Sequence, residues 1–147
     1  MDRTESERLH GVFMDMIRMA GLLHPDQTMP GLPLTLSQTF ALHELDTDVP
    51  LSQRELAERL RLEKSSVSRL VAVMEGKGLL VRERDPANRR THRLRLTDRG
   101  RAMHREMAGG FHESFERWIA RMTRAERTAL LTGLPAFVRA IRQDEVS

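Results

Sequence analysis

The side chains with the clearest chemistry in this 147-residue sequence are hydroxyl and cationic groups crowded into one short segment. A helix that starts near residues 63–65 would bury, at helical spacing, Val67, Leu70, Val71 and Met74. Its exposed side would then carry Lys64, Ser65, Ser66, Ser68 and Arg69. Arginine can bind guanine or a phosphate, and serine can donate to or accept from either, so this face suits a DNA groove. An ordinary helical hairpin with a polar face is the structural alternative.

A second cationic group lies in the turn-rich segment 85–90, which carries the adjacent arginines Arg89 and Arg90. It separates two predicted strands, 79–84 and 91–96, and in the second of these leucines alternate with arginines. Arginines at such a tip suit the narrow minor groove or the neighbouring phosphates. Charges on an edge hairpin can also serve only to prevent aggregation. That alternative does not explain why the arginines gather at the tip.

The charge distribution points to the same part of the chain. Residues 64–105 contain 12 basic and 4 acidic side chains, whereas the remainder contains 12 basic and 17 acidic ones. A local cationic excess of this size is typical of a protein that binds a polyanion. A solvated basic face without a partner is the alternative on charge alone.

Two short helices and a hairpin are predicted to position these groups. Ser52, followed three residues later by Glu55, indicates a helix start, and the helix over 53–61 would face inward with Leu56, Ala57 and Leu60. With the serine-rich helix that follows, it forms a helix-turn-helix. The hairpin directly after that unit would be the wing of a winged helix.

Further helices are predicted at 5–23, 36–46, 98–122 and 124–142. Thr35 and Thr123 each precede Gln or Glu by three residues and are predicted to cap two of them, and Thr97 is predicted to cap a third. The Gly109-Gly110 pair is a weak point inside its helix, and Pro135 is expected to kink or split the last one. Residues 24–33 hold three prolines and are predicted to form a loop.

Several classes of protein are not expected. The absence of cysteine excludes disulfides, thiolate zinc sites and thiol switches. No apolar run approaches a membrane span, and the charged start has no apolar segment behind it, so we expect a cytoplasmic protein without a signal peptide. No phosphate loop, nucleophile elbow or paired-carboxylate site is present, so we expect neither enzyme activity nor a cofactor. His104 and His112 stand eight residues apart, which is too far along a helix to share a metal.

Five motifs in order resemble those of the MarR family (multiple antibiotic resistance regulators). They are Leu34 to Gln38, Leu56-Ala57, Ser66 to Val71, the wing stretches Gly78 to Arg82 and Asp85 to Arg90, and Leu96 to Gly100, and the resemblance extends over nearly the whole chain. Each motif is weak by itself, but the ordered set is specific. One position departs from the family, which often has an aspartate two residues before the wing arginine. Here Asn88 occupies that position.

The resemblance implies a mainly α fold, a winged helix-turn-helix with N- and C-terminal dimerisation helices and a two-stranded β-wing. We expect a dimerisation helix and loop over 1–34, the DNA-binding domain over 35–100 and dimerisation helices over 101–147. Two such domains in a homodimer would read a pseudo-palindromic duplex, with serines and Arg69 in the major groove and Arg89 or Arg90 in the minor groove. The complete predicted DNA-binding set is Lys64, Ser65, Ser66, Ser68, Arg69, Arg84, Asn88, Arg89, Arg90 and Arg93.

Many members of the family resembled are repressors released by small aromatic acids. On that analogy a ligand pocket would be lined by Phe13, Ile17, Phe40, His43 and Phe111. These residues also fit an ordinary core. The alternative function is a helical protein-interaction module whose basic surface binds an acidic protein. RNA is a less favoured partner because the chain has no tyrosine and few aromatic side chains to stack on bases.

Overall fold

A computed structural model describes residues 3–24 and 33–146. In chain order the elements are α1 (Arg3–Met19), α2 (Leu36–Leu45), β1 (Leu51–Ser52), α3 (Gln53–Leu60), α4 (Lys64–Gly76), β2 (Leu80–Arg84), β3 (His92–Leu96), α5 (Asp98–Ile119) and α6 (Arg124–Asp144). The described chain divides into two compact units, with the boundary between Gly109 and Gly110. Most of the predicted loop over 24–33 lies outside the described residues. Within the described part, no helix is long and apolar enough to cross a membrane.

The first unit contains the winged helix and its core. Helices α2, α3 and α4 pack around the apolar side of an antiparallel sheet, whose central strand is β3. The fully buried side chains come from every one of these elements and include Leu42, Leu56, Val67, Val71, Met74, Leu80 and Leu94. The helical spacing therefore identified the buried face of α4 correctly, although Leu70 is only partly buried.

The sheet has three strands, whereas the sequence predicted two. β2 and β3 form the expected hairpin, with Leu80 opposite Leu96 and Arg84 opposite His92. The additional strand, β1, pairs Leu51 with Leu94 and Ser52 with Arg93 on the other side of β3. A two-residue strand is too short to show alternation in sequence, and Ser52 also caps α3. The prediction of a two-stranded wing was therefore incomplete.

The predicted helix starts are confirmed by hydrogen bonds. Thr35 and Gln38 form a complete capping box, and so do Thr123 and Glu126. The Ser52 hydroxyl accepts from the amide of Glu55. Such side chains satisfy backbone donors that have no partner within the helix, and each cap is worth about 1 kcal/mol. The Glu126 pKa is lowered by its hydrogen bond with Thr123, which favours the ionised form of the cap.

Two helix ends and one helix interior differ from the sequence prediction. α1 stops at Met19, before a turn in which Gly21 adopts a positive φ of 76°, and α5 stops at Ile119. α6 runs from Arg124 to Asp144 as one helix with Pro135 inside it, so of the two expected outcomes, a kink or a split, the split does not occur. Proline removes one backbone hydrogen bond, yet the helix continues through Pro135 without a break.

The start of α5 is joined to the turn that follows α4. The Thr97 hydroxyl accepts from the Gly100 amide at 3.0 Å and donates to the Gly78 carbonyl at 2.6 Å. The Thr97 amide donates to the Leu79 carbonyl at 3.1 Å. A Cβ on Gly100 would collide with that same carbonyl oxygen and would also lie 3.3 Å from Leu96 Cδ2. Glycine is therefore required at position 100 by close packing, and not by its φ angle.

We expect Gly100→Ala to lower the free energy of unfolding by about 1–3 kcal/mol, because the new methyl group must push backbone away from backbone. Equilibrium urea unfolding followed by circular dichroism measures this change. Gly76→Ala is the matched control, since a Cβ there meets nothing within 4 Å. We expect the control to stay within about 0.5 kcal/mol of the parent. Equal stability of the two variants would refute the packing explanation.

Candidate nucleic-acid interface

The helix-turn-helix is closed by an unusual backbone conformation at Arg61. This residue adopts the left-handed region, with φ of 54° and ψ of 42°, and it is the only non-glycine residue of the described chain with a positive φ. Its amide donates to Glu58, and the next amide, that of Leu62, donates to Ala57 at 3.1 Å. The left-handed form costs a non-glycine residue roughly 1–2 kcal/mol. The turn between α3 and α4 therefore contains a strained residue, and its hydrogen bonds hold that conformation.

The outer side of α4 carries the predicted hydroxyl and cationic groups. Four of them are exposed and Ser66 is half-buried, and the exposed ones are Lys64, Ser65, Ser68 and Arg69. Glu63 at the N-cap makes no side-chain hydrogen bond to the helix. The first turn of α4 is therefore left uncapped by its own side chains, and it presents backbone N–H groups next to cations and hydroxyls. Such a helix end favours anionic partners.

The arginines of the hairpin fall into two groups. Arg93 lies 3.1 Å from the Asp85 carboxylate, Nε to Oδ2, and Arg95 lies 3.3 Å from Glu83, Nη2 to Oε2. The arginines nearer the tip form no ion pair with any described residue, and they are Arg84, Arg89 and Arg90. All three are exposed. The cations available to an external anion are thus at the tip and along the end of β2.

The wing tip is closed by its own backbone. The Asp85 amide donates to Thr91 at 2.9 Å, the Thr91 amide donates to Asn88 at 2.9 Å, and the Asn88 amide donates to Asp85 at 3.2 Å. The Asn88 side-chain oxygen accepts from the Arg90 amide at 3.2 Å. At this family-divergent position the side chain therefore organises the backbone beside Arg90.

Known proteins share this arrangement. The family model described as "MarR family" matches residues 32–91, which contain the helix-turn-helix and most of the wing. The crystal structure of the PcaV transcriptional regulator from Streptomyces coelicolor superposes with a TM-score of 0.72 at 26% identity, covering 90% of this chain and 97% of that one. Over residues 32–91 the chain resembles the MarR family. A PcaV structure with its natural ligand also matches, with a TM-score of 0.62 at 24% identity, covering 92% of this chain and 90% of that one.

Two further comparisons extend the likeness. The HTH-type transcriptional repressor MdtR of Bacillus subtilis is 29% identical over 68% of this chain, and the match spans 64% of MdtR. The chain thus matches less than two thirds of that relative's length. Streptococcus pneumoniae FabT in complex with DNA shares the fold, with a TM-score of 0.74 at 18% identity, covering 96% of this chain and 97% of that chain.

The residues predicted to line a ligand pocket in this chain are distributed over three helices. Phe13 and Ile17 lie on α1, Phe40 and His43 lie on α2, and Phe111 belongs to the second unit. Phe40 lines a groove of about 260 Å³, together with Leu36, Ser37, Arg59, Leu60 and Leu62. The predicted ligand set stays a prediction.

Sequence reasoning missed one cluster of ionisable groups in the first unit. His104 Nδ1 lies 2.5 Å from Asp46 Oδ2, and the His104 ring meets the His43 ring edge to face at 5.5 Å. The residues are far apart in sequence, so no spacing signal connects them. Among the residues that the structure describes, no group of three or more His, Cys, Asp or Glu side chains is arranged to hold a metal ion.

Proposed function

We propose that this chain is a regulator of the MarR type, a dimeric, sequence-specific DNA-binding transcriptional repressor whose binding is relieved by a small aromatic ligand. The observation that carries the proposal is the set of exposed cations on α4 and at the wing tip, both in the first unit, that pair with no acid in the described part of the chain. Since DNA is the proposed partner, the expected compartment is the cytoplasm. The predicted absence of enzyme activity belongs to the same proposal.

Each group of the surface has a task in this proposal. Arg69 and the serines of α4 would read base edges in the major groove, because their hydrogen-bonding groups match those of the bases. Lys64 would neutralise a phosphate near the start of the helix. Arg89 and Arg90 would bind the minor groove or its phosphates, where a guanidinium is attracted by the strong negative potential. The FabT complex with DNA supports this docking, since the two proteins share the fold.

The first test is enrichment of duplexes from a random-sequence library, followed by fluorescence anisotropy on the winning duplex and a shuffled one. We expect selective binding whose log affinity falls with log salt by about 0.9 for each phosphate neutralised. Equal, weak binding to all duplexes would contradict sequence-specific regulation. Absence of DNA binding at low salt would favour the protein-interaction alternative.

Arg69→Ala and Arg90→Ala should weaken binding in different ways. Loss of Arg69 removes a base contact and should cost about 1–3 kcal/mol on the selected duplex with less effect on the shuffled one. Loss of Arg90 should weaken both duplexes and reduce the salt slope by about 1. Arg139→Ala, which removes an exposed arginine from the side of α6 away from its apolar residues, is the control and should bind like the parent. Parental affinity in all three variants would contradict the assignment of Arg69 and Arg90 to DNA contacts.

The dimer part of the proposal rests on the apolar side chains of α1 and α6. No residue of α6 is buried, although Leu130, Leu131, Leu134, Val138 and Ile141 recur at helical spacing on one side of it. On α1 the exposed apolar residues include Val12, Phe13 and Met16. Exposed apolar surface of this extent marks an interface. A second copy of the chain is the partner that two-fold operator recognition requires.

Leu131→Glu should shift the protein from dimer to monomer and weaken binding to the selected duplex. Leu131 is 77% exposed within the chain, and its burial in a dimer would contribute about 1.5–3 kcal/mol per protomer. Sedimentation velocity over a concentration series measures the shift. Thr132→Glu places the same charge on the opposite side of α6 and should leave the dimer intact. Dimers of equal strength in both variants would exclude this face of α6.

The ligand part of the proposal is tested on the preformed complex. We expect hydroxybenzoates to release the selected duplex, because an aromatic carboxylate can combine with apolar and aromatic side chains such as Phe13, Ile17, Phe40, His43 and Phe111. The PcaV structure with its natural ligand supports ligand binding by a protein of this fold. Anisotropy is followed while the acid is titrated, with cyclohexanecarboxylate as the non-aromatic control. Unchanged DNA affinity across a panel of aromatic acids would reject relief by such ligands and leave DNA binding intact.

A further inference from the structure

We propose that Asp85 and Arg93 are positioning residues which hold the wing tip in its DNA-binding conformation, and that Arg93 acts through Asp85 and not by touching DNA. The inference rests on the proposed DNA-binding function. It revises the role that the sequence predicted for Arg93. It also gives a function to a carboxylate that lies, against electrostatic expectation, in the wing of a polyanion-binding protein.

Arg93 occupies the most firmly held part of the hairpin. It lies in the central strand, where its backbone stands opposite Glu83 of β2 on one side and Ser52 of β1 on the other. The next residue in the strand, Leu94, is fully buried in the core. The backbone of Arg93 is therefore held by strand pairing on both sides, whereas Arg89 and Arg90 lie in the tip loop outside the sheet.

Asp85 is the first residue after β2, and its carboxylate is bonded on both oxygens. Oδ1 accepts from the Ala87 amide at 2.9 Å, and Oδ2 lies 3.1 Å from Arg93 Nε. The Asp85 side chain is only 14% exposed, which makes it the least exposed acid among the ion pairs of the described residues. The Ala87 amide, and after it Arg93, lowers the pKa of Asp85, so the carboxylate is ionised at neutral pH.

These contacts connect the central strand to the tip of the hairpin. Arg93 holds the carboxylate, the carboxylate holds the Ala87 amide, and the Asp85 backbone is bonded to both Asn88 and Thr91. Every backbone hydrogen bond of the tip therefore involves Asp85 or Asn88. Charge-assisted hydrogen bonds of this kind are about twice as strong as neutral ones. Their loss should release the loop that carries Arg89 and Arg90.

The two possible roles of Arg93 predict opposite effects for Asp85→Asn. If Arg93 bound a phosphate, removal of the competing carboxylate would free it and remove a negative charge, so DNA affinity would rise. If the pair positions the tip, the substitution loosens Arg93 and should weaken binding to the selected duplex roughly tenfold. The sign of the change decides between them.

The experiment compares Asp85→Asn, Arg93→Ala and the double variant with the parent, by anisotropy and by amide hydrogen exchange of the DNA-free protein. We expect faster exchange at the Ala87 and Asn88 amides in both single variants. We also expect a salt slope equal to that of the parent, and a double variant no weaker than either single one, since both belong to one unit. A direct phosphate contact would instead lower the slope by about 0.9 for Arg93→Ala.

Glu83→Gln is the matched control, since it breaks the other ion pair of the same hairpin, that with Arg95. It should leave exchange at the tip unchanged. Parental exchange in Arg93→Ala, or stronger DNA binding by Asp85→Asn, would overturn the proposal. Faster exchange with unaltered DNA affinity would also overturn it. If the parent itself binds no duplex selectively, the proposed function fails, and exchange still decides whether the pair orders the tip.

Discussion

The Leu79 carbonyl accepts a hydrogen bond from the Thr97 amide and packs against the Cα of Gly100, where there is no room for a Cβ. Through this contact the turn after α4 is attached to the start of α5, and β2 and β3 leave the core in a fixed register between them. The position of the hairpin relative to α4 depends on it. In the proposed complex α4 and the wing would contact two grooves of the DNA at once. That requires a constant position of the hairpin relative to α4, because both sets of contacts must form together.

Much of the winged helix could be predicted from the sequence because its signals are local. Capping threonines, the Ser52 cap and the spacing of Val67, Val71 and Met74 are each contained within one helical turn or two. The features that escaped prediction depend on contacts between distant segments or on backbone energetics. β1 is a strand only through its pairing with β3. Arg61 adopts the left-handed conformation, which arginine does not favour. The His104–Asp46 contact joins residues that no pattern connects.

The candidate site was predictable by region more than by residue. The segment with the cationic excess contains the exposed cations of α4 and the wing tip that have no ion-pair partner among the described residues. A count of arginines cannot distinguish those with partners from those without. Arg93 and Arg95 are neutralised within the hairpin, whereas Arg89 and Arg90 are not. To locate a polyanion-binding surface one therefore needs the positions of the cations that have no acidic partner. Within a hairpin, those positions follow only from the register of the strands.

The absence of buried residues in α6 has a consequence for the energetics of the whole protein. An isolated helix of this length is marginal in water, because helical order draws most of its stability from tertiary packing. In the proposed dimer, burial in the interface would stabilise the helical conformation of α6. Folding would then be linked to assembly by mass action. The midpoint of thermal unfolding would rise with protein concentration. Cellular abundance itself would then set how much of the regulator is folded and able to occupy its operator.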